Sequence, residues 1–266
     1  MTELPFVLTD IPGPCSKREY AAVMKHESNA RTYSRAFPVL FSHGRGSMIW
    51  DVDGNCFLDM LMGAGALALG HANPDIAQAI SEQAAKLTSG LDLFTSARAQ
   101  FFEILRSRLP EPFNNYIFHL CGPTGSDSVE AALKLAYSQT GRDEIIVFER
   151  AYHGTSIGAQ FSSDIEMRPP FCRDGVDNIH RLPFPSSDST SGNHVLKQAE
   201  KILHSRRIAA VLFEPIQGEG GVVVLPAEFF SSLHQLAKES DTLLIADEVQ
   251  TGIGRTYRSL AGQPIL

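Results

Sequence analysis

Leu212-Phe213-Glu214-Pro215-Ile216-Gln217-Gly218-Glu219-Gly220-Gly221, followed by Leu243-Leu244-Ile245-Ala246-Asp247-Glu248-Val249-Gln250-Thr251-Gly252, is the stretch whose reading decides the fold. Each half opens as a short, continuous apolar run that ends on a carboxylate, the pattern of a strand buried on both faces of a parallel sheet. Ligands of open parallel sheets sit outside the carboxyl ends of the strands, so Glu214 and Asp247 reach one crevice if these strands lie close together. For a single strand-end acid, capping of the following loop or helix is the competing reading. Two such acids, with what lies upstream of them, favour a site.

Upstream, from residue 116, strands and helices alternate. Strands are expected at 116–120, 144–149, 208–214 and 242–247, and helices at 127–139, closed by Gly141, at 194–206 and at 227–239. This is an α/β pattern, a mostly parallel sheet covered by helices. Residues 162–193, rich in Ser, Pro, Asp and Gly, read as a long loop or insertion. Nearer the amino terminus, residues 1–45 read as an extended arm or irregular segment, and 47–60 as a hairpin around Asp53-Gly54-Asn55. A glycine-rich stretch, 63–70, leads to a helix that starts at Asn73-Pro74-Asp75 and stops near Gly90. A further helix is expected over 96–108, and no internal repeat is evident. The division expected is an arm and hairpin over 1–60, contributing to a smaller domain, and an incomplete large domain over 61–266.

With 266 residues, 43% hydrophobic and 20% charged, the chain has the composition of a globular protein. The formal net charge is -7 and no long Lys/Arg run occurs, which excludes the electrostatic footprint of a nucleic-acid binder and favours small-molecule chemistry. Cys15, Cys56, Cys121 and Cys172 form no CxxC pair and have no His at a zinc spacing, so neither a disulfide framework nor a metal site is indicated. The start of the chain lacks a basic and then apolar leader, and the longest apolar run, 60–69, is too short and glycine-rich to span a bilayer. A cytoplasmic protein without a membrane partner is the expectation.

Between the first expected strand and its helix, Cys121-Gly122-Pro123-Thr124-Gly125-Ser126-Asp127 offers backbone amides and a helix dipole to an anion such as phosphate. It is neither a Walker A loop nor a dinucleotide fingerprint, and a simple structural turn is an equal reading of it alone. Tyr152-His153-Gly154 follows the strand ending at Glu149, where a ring can serve as a stacking plate. Taken singly, Tyr152 and His153 are more often packing or hydrogen-bonded residues. A phosphate cradle, an aromatic plate and a strand-end acid on one sheet edge match pyridoxal 5'-phosphate, whose pyridine nitrogen must stay protonated for the ring to accept electrons. Asp247 is the acid suited to that nitrogen, because a nearby anion favours the protonated ring.

These residues resemble the class III aminotransferases, pyridoxal-phosphate enzymes of fold type I. The resemblance runs from about Arg31 to Thr256 and is carried by 46–54, by Leu69-Gly70-His71-Ala72-Asn73-Pro74, by Gly125-Ser126, by Tyr152-His153-Gly154 and by the two stretches quoted first. It implies that Gly125 and Ser126 bind the cofactor phosphate, Tyr152 stacks on the ring, Asp247 pairs with the ring nitrogen and Gln250 lies near the ring hydroxyl. Glu214 and Glu219 are placed on the substrate side. Residues 122–133 and Arg31-Thr32-Tyr33-Ser34-Arg35-Ala36-Phe37-Pro38 look most like the diaminobutyrate aminotransferase branch. Amino transfer between glutamate or 2-oxoglutarate and a short diamino acid or its semialdehyde is thereby implied, as is a homodimer in the complete enzyme.

One departure stands out. The family's Schiff-base lysine lies roughly 30 residues beyond the aspartate, whereas no lysine follows Asp247 before Leu266, and 257–266 match no family pattern. Lys238, on the helix before the last strand, is expected at the opposite sheet edge. A truncated aminotransferase, inactive alone and with apolar surface left uncovered, is the expectation. A non-catalytic remnant or partner subunit, and another activity of the same fold such as an aminomutase or racemase, remain as alternatives.

Overall fold

The computed structural model describes residues 4–28, 33, 36–164, 178–185 and 189–256. It falls into two compact units, Met1–Thr95 and Ser96–Leu266. Half of the branch-like motif at 31–38, much of the loop expected at 162–193, and all of 257–266 lie outside the described residues.

In the first unit, residues expected to be irregular form helix α1, Pro14–Val23, and strand β1, Phe41–Arg45. Proline suits the first helical position, but α1 has no side-chain cap of its own. Asp53, in the hairpin turn, accepts instead from the amides of Cys15 at 2.7 Å and Ser16 at 2.8 Å. A cap so distant in the chain leaves no local sequence signal. Strands β1, β2 (Met48–Asp51) and β3 (Cys56–Leu58) form an antiparallel sheet in that order, with Ile49 opposite Phe57. The β2–β3 turn is tied by Asp51 Oδ1, which accepts from Asp53 and Asn55 amides at 2.9 and 2.8 Å. Helix α2, Pro74–Lys86, is capped by Asn73 and buries no residue. Just before it, His71 Nε2 lies 2.7 Å from Asp59 Oδ2, and Gly46 and His71 exchange backbone hydrogen bonds.

The second unit begins with α3, Ser96–Arg108, and a short 3-10 turn, Phe113–Asn115. There follow α4 (Gly125–Thr140), β4 (Glu144–Phe148), α5 (Ile157–Ser162), β5 (Ile179–Leu182), α6 (Ser189–Leu203) and β6 (Ile208–Phe213). A small hairpin, β7 (Ile216–Gln217) with β8 (Val223–Val224), precedes α7 (Ala227–Glu239) and β9 (Leu243–Ala246). The main sheet is parallel, in the order β5-β4-β6-β9.

Alternation along the strands builds a core on each face. Ile146, Phe148, Val211 and Phe213 pack with Val195, Ala199 and Leu203 of α6 and Phe229, Phe230 and Leu233 of α7. Ile145, Val147, Ala210 and Leu212 pack with Val129, Leu133 and Ala136 of α4 and Ala159 of α5. Both Ala209 and Ala210 face this second core, because the β4–β6 register slips from Glu144↔Ile208 to Ile145↔Ala210. At the strands' amino-terminal edge, Arg142 Nη1 donates to the carbonyls of Ile208, Ser240 and Asp241. Lys238, in the last turn of α7, leads into this edge, away from the strand-end acids.

Two expectations are corrected. Residues 116–120 are not a strand: among the described residues none pairs with them, and Ile117 is 98% exposed. Their β-propensity is real, but an extended segment becomes a strand only when a neighbour takes its N–H and C=O groups. Conversely, the loop expected at 162–193 contains β5 and the start of α6. As an edge strand β5 carries polar side chains, with His180 Nε2 2.8 Å from Glu144 Oε2, and so lacks the apolar run of its neighbours. Among the described residues no helix is long and apolar enough to cross a membrane, and no group of His, Cys, Asp and Glu could hold a metal ion.

Two substitutions separate core from unpaired segment. Leu233→Ala, at a fully buried position, is expected to cost about 2–5 kcal/mol. Ile117→Ala should cost under about 0.5 kcal/mol, as a surface change, and denaturant unfolding of the two variants checks both.

Candidate active site

The registers of the main sheet bring the strand ends together. Phe213 of β6 pairs with Ala246 of β9, so the next residues, Glu214 and Asp247, stand side by side on the carboxyl edge. Asp247 N–H donates to Phe213 O at 2.8 Å, which carries the ladder one step further. On the other side of β6, the chain leaving β4 runs into Tyr152-His153-Gly154.

Both acids are buried, Glu214 to 5% exposure and Asp247 to 9%. Asp247 Oδ2 lies 2.7 Å from His153 Nδ1, and its Oδ1 accepts the Val249 amide at 3.1 Å. Glu214 accepts from the backbone amides of Tyr152 and Gly218, while its Oε2 has no partner among the described residues. Burial, and secondarily the Asp247 charge, push the Glu214 carboxyl up to about 8; the two amides oppose this without overcoming it.

The glycine-serine turn joins the same network. Thr124 and Asp127 close α4 with a capping box, and the first-turn amides of Gly125 and Ser126 have no intrahelical acceptor by geometry. Ser126 Oγ accepts the Thr155 amide at 3.1 Å. Gly154 has φ +122°, and a Cβ there would overlap Ser126 Oγ, so only glycine lets the two loops meet. A Cβ at Gly125 would stand 2.8 Å from Val249 Cγ1, which places an apolar side chain beside the turn. Gln250 Nε2 donates to Glu219 Oε1 at 3.4 Å, and both residues are exposed at the rim.

Gly125, Ser126, Tyr152, Glu214, Glu219, Asp247 and Gln250 are thus brought to one region of the second unit through contacts with one another or with immediate neighbours. His153, which the sequence offers beside Tyr152 without a role of its own, and Val249 join them. The imidazole is one buried histidine among nine in the chain, and Val249 reads as the apolar residue of a turn. The signal for His153 is its place next to Tyr152 after a strand. Helix α5 is locked onto α4 by Glu130, whose Oε1 accepts from Ser156 Oγ at 2.7 Å and from the Gly158 and Ala159 amides at 2.7 and 3.2 Å.

The arrangement offers an anion cradle, an aromatic residue, a buried carboxylate and a neutral buried acid. A family model, aminotransferase class-III, matches residues 29–263. The diaminobutyrate--2-oxoglutarate transaminase of Vibrio cholerae is 36% identical over 247 residues, 90% of this chain and 59% of that relative. The ornithine aminotransferase of Toxoplasma gondii superposes with a TM-score of 0.75 at 27% identity, over 94% of this chain and 57% of the other. The taurine:2-oxoglutarate aminotransferase of Bifidobacterium kashiwanohense, solved with PLP and glutamate, has the same fold, with a TM-score of 0.81 at 24% identity over 98% of this chain and 60% of that one. The chain therefore spans somewhat more than half the length of the relatives it matches.

The raised Glu214 carboxyl has a measurable consequence. Between the ordinary value of 4.5 and about 8, the folded chain holds a proton at Glu214 that the unfolded chain has released. Stability therefore falls as pH rises through this window, by at most ~1.4 kcal/mol per pH unit. Glu214→Gln has no proton to release and should flatten the fall, which denaturant midpoints of both proteins at pH 5 and pH 8.5 will show.

Proposed function

Because this chain belongs to the class III aminotransferases, we propose that its second unit is the cofactor-holding part of a pyridoxal-phosphate-dependent aminotransferase. The observation that carries the proposal is the contact of the cradle with the loop that bears the ring-side residues: Ser126 against Gly154 and Thr155, and His153 on Asp247. The residues fit the group. The α4 amino terminus and Ser126 Oγ offer donors to a phosphate dianion, and the approach that Gly154 permits keeps the Ser126 hydroxyl there. The buried Asp247 carboxylate suits a ring nitrogen that must keep its proton.

Bound pyridoxal phosphate would supply an electron sink for the substrate carbon. The protein's part is to bind and orient. Gly125 and Ser126 hold the phosphate, Tyr152 provides the stacking face, and Asp247 keeps a proton on the ring nitrogen. Gln250 lies toward the ring hydroxyl, and Val249 stands beside the cradle as an apolar neighbour of Gly125. On the substrate side, the exposed Glu219 attracts a terminal ammonium group, while Glu214, neutral below about 8, adds no second charge beside Asp247. This polarity suits a short diamino acid exchanging its amine with 2-oxoglutarate, the reaction named for the Vibrio relative. Moving the proton at the substrate carbon is assigned to none of these residues. A homodimer and a cytoplasmic setting belong to the same reading.

Titration of the chain with pyridoxal phosphate, followed by absorbance, tests the proposal. Saturable binding is expected, and both Ser126→Ala and Asp247→Asn should weaken it by about tenfold or more, the loss of a buried charge-assisted hydrogen bond. Binding that neither substitution alters would refute the assignment. Diaminobutyrate should displace bound cofactor signals at lower concentration than alanine does; equal concentrations would refute the diamino preference.

A further inference from the structure

Near the amino-terminal ends of β4 and β5, at the opposite edge of the sheet from Glu214 and Asp247, a cavity of about 340 Å³ opens between α4, α5 and the start of β5. Ile145 of β4 lies beside Ile179, the first residue of β5, on the face that α4 and α5 cover. Helix α5 has six residues against sixteen in α4, so it covers only part of that helix, and the cavity lies beside the turns it leaves. Glu130, Lys134 and Tyr137 line it from one side of α4, since residues three and four apart share a helix face. Leu133, Phe161 and Ile179 make the rest of the lining largely apolar. The volume falls within the range of small-molecule sites, about 300–1,000 Å³.

The polar groups around this cavity divide into those already engaged and those with hydrogens left to give. Glu130 Oε1 accepts from Ser156 Oγ and from the Gly158 and Ala159 amides. Arg142 Nη1 is taken up by the carbonyls of Ile208, Ser240 and Asp241, and Asp143 lies 3.5 Å from Arg207 Nη2. By contrast, the side chains of Lys134, Tyr137 and Asn178 have no hydrogen bond or ion pair among the described residues. Burial, and secondarily the charges of Glu130 and Asp143, push the Tyr137 phenol up, so it keeps its proton and remains a donor. An ammonium, a phenol and a carboxamide therefore line one space with donors unspent. Lys134 and Arg142 offset the charges of Glu130 and Asp143 there, so an anion meets no excess of its own sign.

We infer that this cavity is a second small-molecule site, for a compact carboxylate with an apolar body: the carboxylate meets Lys134, Tyr137 and Asn178, and the body lies against Leu133, Phe161 and Ile179. A ligand that brings acceptors answers the unspent donors, and an apolar body answers the lining. An amine of the same shape brings donors to donors, and a small inorganic anion leaves the apolar part unfilled. None of the lining residues belongs to the group gathered around Glu214 and Asp247, so the inference stands apart from the cofactor reading.

Calorimetric titration of the 266-residue chain with phenylacetate, without pyridoxal phosphate, tests this. Saturable binding is expected, with 2-phenylethylamine, the same ring bearing an ammonium, weaker by about tenfold or more, and with acetate, the head without the body, not detectably bound at the same concentrations. Lys134→Met and Tyr137→Phe each keep the bulk and remove a donor, and each should weaken phenylacetate by about fivefold or more, the loss of a hydrogen bond to a charged group. Lys134 is exposed, so its replacement leaves the fold intact and the comparison valid. Ser126→Ala and Asp247→Asn, at the other edge of the sheet, should leave the phenylacetate affinity within about twofold of the parent, as for independent sites. Absence of binding to the parent, equal affinity for the amine, or unchanged affinity in both donor variants overturns the inference. So does a loss in Ser126→Ala or Asp247→Asn as large as that in Lys134→Met, which would place the probe at the carboxyl edge instead.

Discussion

Everything at the carboxyl edge depends on one consequence of strand register: Glu214 and Asp247 follow paired residues of adjacent parallel strands and are both buried. Two carboxylates so placed cannot both be charged without a large penalty, since burial already disfavours ionisation and each charge disfavours the other. The protein resolves this asymmetrically. Asp247 receives an imidazole and an amide, while Glu214 receives two amides and keeps an oxygen without a partner. The result is one acid with a partner at each oxygen and one pushed toward its neutral form, so that two like groups stand in different environments.

The second constraint is steric. Loops after β4 and before α4 come from different parts of the chain, yet the Ser126 hydroxyl and the Gly154 backbone are in contact. Any side chain at 154 would push them apart. Glu130 repeats the connection one turn further along α4, by accepting the amides that begin α5. The cradle and the ring-side loop are thus fastened at two levels, and movement of α4 moves both. Such coupling keeps a set of weak donors in one geometry, which matters more for a flat anionic ligand than the strength of any single bond.

Much of this was legible in the sequence, for identifiable reasons. Strands β4, β6 and β9 and helices α3 and α7 announce themselves by continuous apolar runs, periodicity or plain punctuation, because core burial decides them. The acids at the ends of β6 and β9 follow from the same runs. What escaped was non-local. Helix α1 is capped by Asp53, far along the chain, and β5 is an edge strand whose polar residues answer to Glu144. Residues 116–120 show the reverse, a strand-like composition without a neighbour to pair with among the described residues. At the site, Tyr152, Asp247 and the glycine-serine turn could be singled out by position after a strand. The partnership of His153 with Asp247 could not, because it spans 94 residues and two strand spacings.

The strand that carries Asp247 is also the one with least support. Strand β6 is buried along its whole length between β4 and β9, whereas β9 has one neighbour among the described residues and only part-buried or exposed side chains. A carboxylate on such a strand inherits whatever freedom the strand has, unless something outside the strand restrains it. Backbone pairing to Phe213 restrains the peptide but not the side chain. The only element that reaches the carboxylate from the well-buried half of the sheet, among the described residues, is the loop after β4, through His153. The geometry therefore transfers rigidity from the interior strands to an acid at the sheet's margin, and the imidazole is the means of transfer.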